Sequence, residues 1–199
     1  MLKKFGSNYG GWTVEVDLIS DNDIILAAGI GDDISFEEEL FSYNNTLKFV
    51  GLDPNGGSRK FFTKREPHFK SNYIFLNKAL SAKTRYDFST CDNVICKSLN
   101  FQELLDSYDF SLVKLDIEGS EYECLESISN WHNVKQIAVE FHHWVPSYNK
   151  TIEMTYSAIN KLKKDGFRLV FHKINIPERK IQECLFIREN LTNLPEILL

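Results

Sequence analysis

Short apolar-rich runs separated by stretches of helical periodicity constrain this chain more than any other feature. The runs are Ile24 to Ala28, Leu47 to Leu52, Tyr73 to Leu76, Ser111 to Ile117 and Lys135 to Phe141. The first, Ile24 to Ala28, is continuous and apolar, the mark of a strand buried on both faces, and the others read as the second to fifth strands. Between them, Ser35 and Glu38 predict a capping box ahead of Phe36, Leu40 and Tyr43. Asn100 and Glu103 can cap a helix carrying Phe101, Leu104, Leu105 and Tyr108, and Ser120 with Glu123 suggests a second capping box. Tyr122, Leu125, Ile128 and Trp131 would be the buried stripe of that helix. Ile152, Tyr156, Ile159 and Leu162 share one face of a further helix that stops at Gly166. A hairpin is expected at 84 to 97, and Lys60 to His68 has no clear period. Phe167 to Phe171 and Glu183 to Ile187 are strands with no helix between them, so they should pair antiparallel at a sheet edge. The alternation predicts an α/β fold: a doubly wound, mostly parallel seven-stranded sheet, helices on both faces, and a C-terminal antiparallel hairpin.

At 199 residues the chain reads as one domain, 1–199, and the short stretch ahead of its first motif also suits a module cut from a larger protein. Its formal net charge of -5 makes wrapping of nucleic acid an unexpected job. No apolar run approaches the roughly 20 residues of a membrane span, and Met1-Leu2-Lys3-Lys4 opens no secretory signature. Four cysteines (91, 96, 124 and 184) form no C-x-x-C pair, which favours reduced thiols and a cytoplasmic location.

The first buried run leads into Gly29-Ile30-Gly31-Asp32-Asp33-Ile34. A dinucleotide fingerprint needs a third glycine where Ile34 stands, and two aspartates would repel a pyrophosphate. S-adenosylmethionine carries no phosphate; it brings a sulfonium and an ammonium, which carboxylates favour. Its ribose wants an acidic residue at the end of the second strand to accept both hydroxyls. Asp53 stands there, 22 residues after Gly31. The turn therefore suits a cationic, phosphate-free nucleoside, with Asp53 otherwise serving as a turn former before Pro54.

Several stretches together resemble the FkbM-type (methyltransferase 21/22-like) S-adenosylmethionine-dependent methyltransferases, whose sheet is Rossmann-like and class I. They are Tyr9-Gly10-Gly11-Trp12; Ala28 to Glu37 followed by Leu52-Asp53-Pro54; Val113-Lys114-Leu115-Asp116-Ile117-Glu118-Gly119-Ser120-Glu121; and Val139-Glu140-Phe141-His142. The resemblance implies O-methylation of a hydroxyl, most often on a sugar, deoxysugar or glycan. It implies cofactor contacts from Ala28, Gly29, Gly31, Asp32, Asp33, Ser35, Phe36, Asp53 and Pro54. Asn77 and Ala79 would lie near the adenine and Asp116 near the transferring methyl. A glycosyltransferase, fused or separate, is the expected working partner. A secondary metabolite or lipid acceptor, or a binding module without turnover, are the alternatives.

In a doubly wound sheet the ligand lies beyond the carboxyl ends of the strands. The fourth and fifth strands should be neighbours, so Asp116 and Glu118 would face Glu140, His142 and His143. A hydroxyl is a poor nucleophile at neutral pH and needs a base or a metal nearby. His142 is the first candidate base. Asp116 and Glu140 would orient it, or would hold a divalent cation that acidifies the acceptor hydroxyl. Glu118 has a plain alternative, a carboxylate stabilising a helix N-terminus. Trp12, Trp144 and Tyr148 form either a platform for a sugar ring or part of the core, and the Lys161–Lys164 run reads as a solvated helix end.

Overall fold

The five runs become the parallel strands of one sheet, where the inner ones are covered on both faces and Tyr73–Leu76, at the edge, leaves Ile74 exposed. A computed structural model of the chain describes residues 1–58, 69–90, 93–143, 145–174, 182–191 and 193–198. The strands are β1 (Leu2–Phe5), β2 (Trp12–Glu15), β3 (Ile24–Ala28), β4 (Lys48–Leu52), β5 (Tyr73–Leu76) and β6 (Ala79–Ser81), then β7 (Arg85–Ser89), β8 (Ile95–Asn100), β9 (Phe110–Leu115), β10 (Gln136–Phe141), β11 (Phe167–Ile174) and β12 (Gln182–Arg188). The main helices are α1 (Ser35–Tyr43), α2 (Phe101–Ser107), α3 (Glu121–Ser127) and α4 (Ile152–Lys164).

The central sheet has seven strands in the order β11-β12-β10-β9-β3-β4-β5. β12 lies between β10 and β11 and runs antiparallel to both, which is the expected terminal hairpin. The expected hairpin near 84 to 97 is β7 with β8, and it belongs to a separate three-stranded sheet with β6. Helices α2, α3 and α4 cover one face of the central sheet, burying Phe101, Leu104, Leu125, Ile159 and Leu162 with Leu26, Val113 and Val139. The opposite face carries Ile25, Phe49 and Leu112, covered by α1 and the β1–β2 hairpin through Phe36, Leu40, Phe5 and Val14. Each such aliphatic or aromatic side chain contributes about 1.5–3 kcal/mol on burial. No helix among the described residues is long and apolar enough to cross a membrane.

The helix starts differ from the capping pattern. The N-cap of α1 is Ile34 and makes no side-chain cap; Ser35 is the first helical residue and donates its N–H to Asp33 Oδ1 at 2.8 Å. Ser120 caps α3 without a side-chain bond, and Glu121 turns back to accept Gly119 N–H instead, at 2.8 Å. The cap at Asn100 forms as expected, accepting Glu103 N–H at 3.1 Å. Helix α3 ends at Ser127, so Ile128 and Trp131 are buried beyond its end rather than on its face. On α4 the buried residues are Thr155, Ala158, Ile159 and Leu162, and Tyr156 lies exposed. Lys161, read as solvated, reaches Ile128 O at 2.9 Å and Asp165 at 2.5 Å. Residues 56–58 are helical, and the stretch at Lys60 to His68, Cys91 and Trp144 lie outside the described residues.

Register fixes where chemistry can occur. Ala28 pairs with Leu52 on one side and Leu115 on the other, and Leu115 pairs with Val139. The carboxyl ends of β3, β4, β9 and β10 therefore form one rim. Connections leave β3 toward β4 on one side, while β9 returns on the other, so the topological switch lies between Gly29 and Asp116.

Candidate active site

The turn after β3 is built on two glycines that do different things. Gly29 has φ +77° and presses against the next loop: a Cβ there would lie 1.5 Å from the Asp116 carbonyl oxygen. Gly31 has φ +59° and faces open space, with nothing within 4 Å of a Cβ. One glycine thus closes the switch point and the other borders a cavity of about 570 Å³, within the ~300–1,000 Å³ of small-molecule sites.

Asp53 holds this turn in place. Its Oδ2 accepts the N–H groups of Ile30 (3.1 Å) and Gly31 (2.8 Å), and its Oδ1 accepts Asn55 N–H at 2.7 Å. A carboxylate has about four acceptor sites, so one remains toward the cavity rather than the pair expected for two hydroxyls. Asn77 reaches back to donate to Asp53 O at 2.9 Å. Asp33 ties the N-terminal loop to the turn, accepting Ser7 Oγ–H at 2.7 Å. Burial works against ionisation of Asp33, but hydrogen bonds from Ser35 and Ser7 prevail and hold its pKa below the usual carboxylate value. Lys114 lies buried under Trp12, its amine 5.3 Å from the ring and donating to Gly29 O at 2.5 Å.

Opposite the turn lies a cluster of acids around one imidazole. His142 is buried at the end of β10; its Nδ1 lies 2.8 Å from Glu121 Oε1, which also accepts His142 N–H at 2.9 Å. Its Nε2 faces Glu118 at 3.5 Å, Asp116 at 3.6 Å and Glu140 at 3.9 Å. Glu118 reaches it because residue 118 adopts φ +51°, a left-handed conformation costing about 1–2 kcal/mol outside glycine. Tyr148 OH donates to Glu118 at 3.0 Å. Burial favours the neutral ring of His142, but the Glu121 hydrogen bond and the charges of Glu121, Asp116 and Glu118 outweigh it and raise its pKa to about 10. Burial first, then Asp116, push Glu140 up to about 8. Asp116 is raised by burial, against the pull of Lys114 and His142. A cavity so rich in carboxylate favours cations.

Of the residues singled out in the sequence, Gly29, Gly31, Asp32, Asp33, Asp53, Pro54, Ala79, Asp116, Glu118, Glu140 and His142 line the cavity. Ala28, Ser35, Phe36 and Asn77 are not among its lining residues. Ala28 and Phe36 are core, and Ser35 accepts Ser7 N–H at 2.8 Å. His143 points the other way, to Thr155 Oγ1 at 2.9 Å, because consecutive residues leave a strand on opposite sides. Trp12 is both core and cavity wall. Glu121 and Lys114 are site residues that helix and strand periodicity does not flag. The available signal was a charged residue at a position that must be buried: Glu121 is fully buried and Lys114 nearly so.

Residues 9–169 match the model of the methyltransferase FkbM domain family. Among solved structures, methyltransferase FkbM from Methylobacillus flagellatus KT is similar at TM-score 0.61 and 15% identity, over 85% of this chain and 44% of that one. The chain therefore spans less than half the length of that relative. The fibrillarin pre-rRNA processing protein of Methanococcus jannaschii is similar at TM-score 0.57 and 12% identity, over 85% and 68% of the two chains. Aeropyrum pernix fibrillarin, solved with natively bound S-adenosyl-L-methionine, is similar at TM-score 0.52 and 10% identity, over 87% and 70%. No curated protein matches the chain. At these identities the structures speak for the fold, a class I methyltransferase sheet, while the family model covers most of the sequence. The chain belongs to the methyltransferase FkbM domain family.

Proposed function

We propose that this protein is an S-adenosylmethionine-dependent O-methyltransferase acting on a hydroxyl of a sugar, deoxysugar or glycan. The observation that carries the reading is the Gly31 turn gripped by Asp53 at the rim where the acid cluster also ends. The residues fit the cofactor. Gly31 leaves open space, Asp53 keeps one acceptor site for a ribose hydroxyl, and Asp32 and Asp116 supply negative charge for the sulfonium and ammonium. Pro54 and Ala79 offer apolar surface to the adenine. When bound, the cofactor supplies an electrophilic methyl on sulfur.

The protein's part is to align the acceptor and remove its proton. As the acceptor oxygen takes up the methyl, its hydroxyl proton would pass into the cluster of Asp116, Glu118, Glu140 and His142. Tyr9, 89% exposed, and Phe88 stand at the cavity beside Asn8, Asn55 and Thr90. Rings beside amide and hydroxyl groups are what a sugar's apolar face and hydroxyls require. A glycosyltransferase that makes the acceptor remains the partner we favour. Free thiols at Cys96, Cys124 and Cys184 support a reducing, cytoplasmic setting.

The test is methyl transfer from labelled S-adenosylmethionine to a panel of free sugars, oligosaccharides, lipids and small phenols. Product on a sugar hydroxyl is expected. Transfer only to lipid or phenol would replace the acceptor class. Cofactor binding with no transfer to any acceptor would favour the binding-module reading.

A further inference from the structure

We propose that Asp116, Glu140 and His142 form a binding site for one hard divalent cation of the magnesium or manganese class, with Glu121 as its positioning residue. The inference deepens the reading above, since the site would serve the acceptor hydroxyl of the same reaction.

The first observation is separation. One oxygen from each of Asp116 and Glu140 and the His142 Nε2 all lie within 4.8 Å of one another, at 3.6 and 3.9 Å from the nitrogen. With metal–ligand bonds of about 2.1 Å, ligands on an octahedral ion lie about 3.0 Å apart when adjacent and about 4.2 Å when opposite. Both spacings from the nitrogen fall between those limits. The three groups are too far apart to bond each other and near enough to share one ion.

The second observation is the imidazole itself. Its side chain is 3% exposed, yet Nε2 has no hydrogen-bond partner among the described residues and points into the three carboxylates. Glu121, fully buried, fixes the opposite nitrogen at 2.8 Å. With Nδ1–H donated to a buried carboxylate, Nε2 is the nitrogen that faces the cavity, and a metal ion that displaces its proton would take its lone pair. That carboxylate–histidine arrangement is the usual support behind a metal ligand. The positive charge those carboxylates require at Nε2 is either the ring's own proton or a metal ion in its place.

The donor set selects the ion. Two carboxylates and one imidazole, with no thiolate lining the cavity among the described residues, suit a hard or borderline ion rather than a soft one. Glu118, 3.5 Å from the same nitrogen and held by Tyr148, adds charge at the open side. There the ion would leave positions for water and the acceptor hydroxyl, whose proton it would acidify.

Manganese binding to chelator-stripped protein, without cofactor or acceptor, tests this directly by electron paramagnetic resonance. One saturable site per chain is expected, with nitrogen modulation in the pulsed spectrum from the His142 ring. Asp116→Asn with Glu140→Gln should abolish saturation while near-ultraviolet dichroism stays native. Glu121→Gln should weaken affinity by about 10–100-fold and reduce the nitrogen modulation, which a purely structural role would leave intact. Absence of saturable binding by the unaltered protein overturns the proposal, as does unchanged binding in the double variant. Failure of the cofactor reading would appear separately, as absent S-adenosylhomocysteine binding in a metal-free titration.

Discussion

Adding one methyl group to each glycine of the turn after β3 should produce two very different proteins. At Gly29, a Cβ would sit 1.5 Å from the Asp116 carbonyl oxygen, whereas real contacts stay beyond 3.0 Å. One backbone must therefore retreat by about 1.5 Å, a third of the ~4.8 Å spacing between neighbouring strands. That retreat breaks the Asp116 N–H bond to Ala28 O, now 3.0 Å, at about 1 kcal/mol. The left-handed φ adds about 1–2 kcal/mol, and loosened packing of β3 on β9 adds more. Gly29→Ala should cost about 4 kcal/mol or more, which is exceptional for one methyl group. Gly31→Ala meets open space, so only the backbone term of about 1–2 kcal/mol applies. For a chain of this size each kcal/mol moves Tm by roughly 2–4 °C, so calorimetry separates the two cases easily. The Gly31 methyl would enter the cavity, so this variant should lose S-adenosylhomocysteine affinity while remaining folded. Equal destabilisation by the two substitutions would refute the division of labour between the glycines.

Further outcomes follow from single groups. Glu37 is 1% exposed with neither carboxyl oxygen hydrogen-bonded among the described residues; burial raises its pKa, with Lys114 opposing. The folded state then binds a proton more tightly than the unfolded chain. Its stabilising effect is full below pH ~4.5 and lost as pH rises toward the folded pKa, at up to about 1.4 kcal/mol per unit. Glu37→Gln should match the parent near pH 4 and exceed it increasingly at higher pH, in urea titrations across that range; parallel curves would reject this. Asn100→Ala removes both the cap on Glu103 and the bond to Ala82 O, and should cost about 1–2 kcal/mol by the same assay. Asp53→Asn weakens the grip on Ile30 and Gly31 and should lower S-adenosylhomocysteine affinity at least tenfold by calorimetric titration.

The central sheet was readable because its strands are short apolar-rich runs, and Ile24 to Ala28 keeps its expected bounds in the structure. The β1–β2 hairpin was not, because Leu2–Phe5 carries two exposed lysines and only one fully buried residue. Its burial comes from docking on the sheet, which local pattern does not encode. Helix α3 was over-extended for a related reason: Ile128 and Trp131 continue the period by burial alone, after the helix has ended. At the site, residue types told which groups would gather at the rim, but side-chain direction depends on the packing of the fold. Asn77 braces Asp53 from behind, His143 turns toward α4, and Glu121 serves His142 as well as the helix start.

Thermal unfolding with S-adenosylhomocysteine, with NAD as control, tests the central claim most directly. A ligand at about 100 times its Kd adds about 2.7 kcal/mol, or roughly 5–11 °C in a chain this size. The account predicts that shift with S-adenosylhomocysteine, its loss in Asp53→Asn, and none with NAD. A shift with NAD, or none with either ligand, would contradict it.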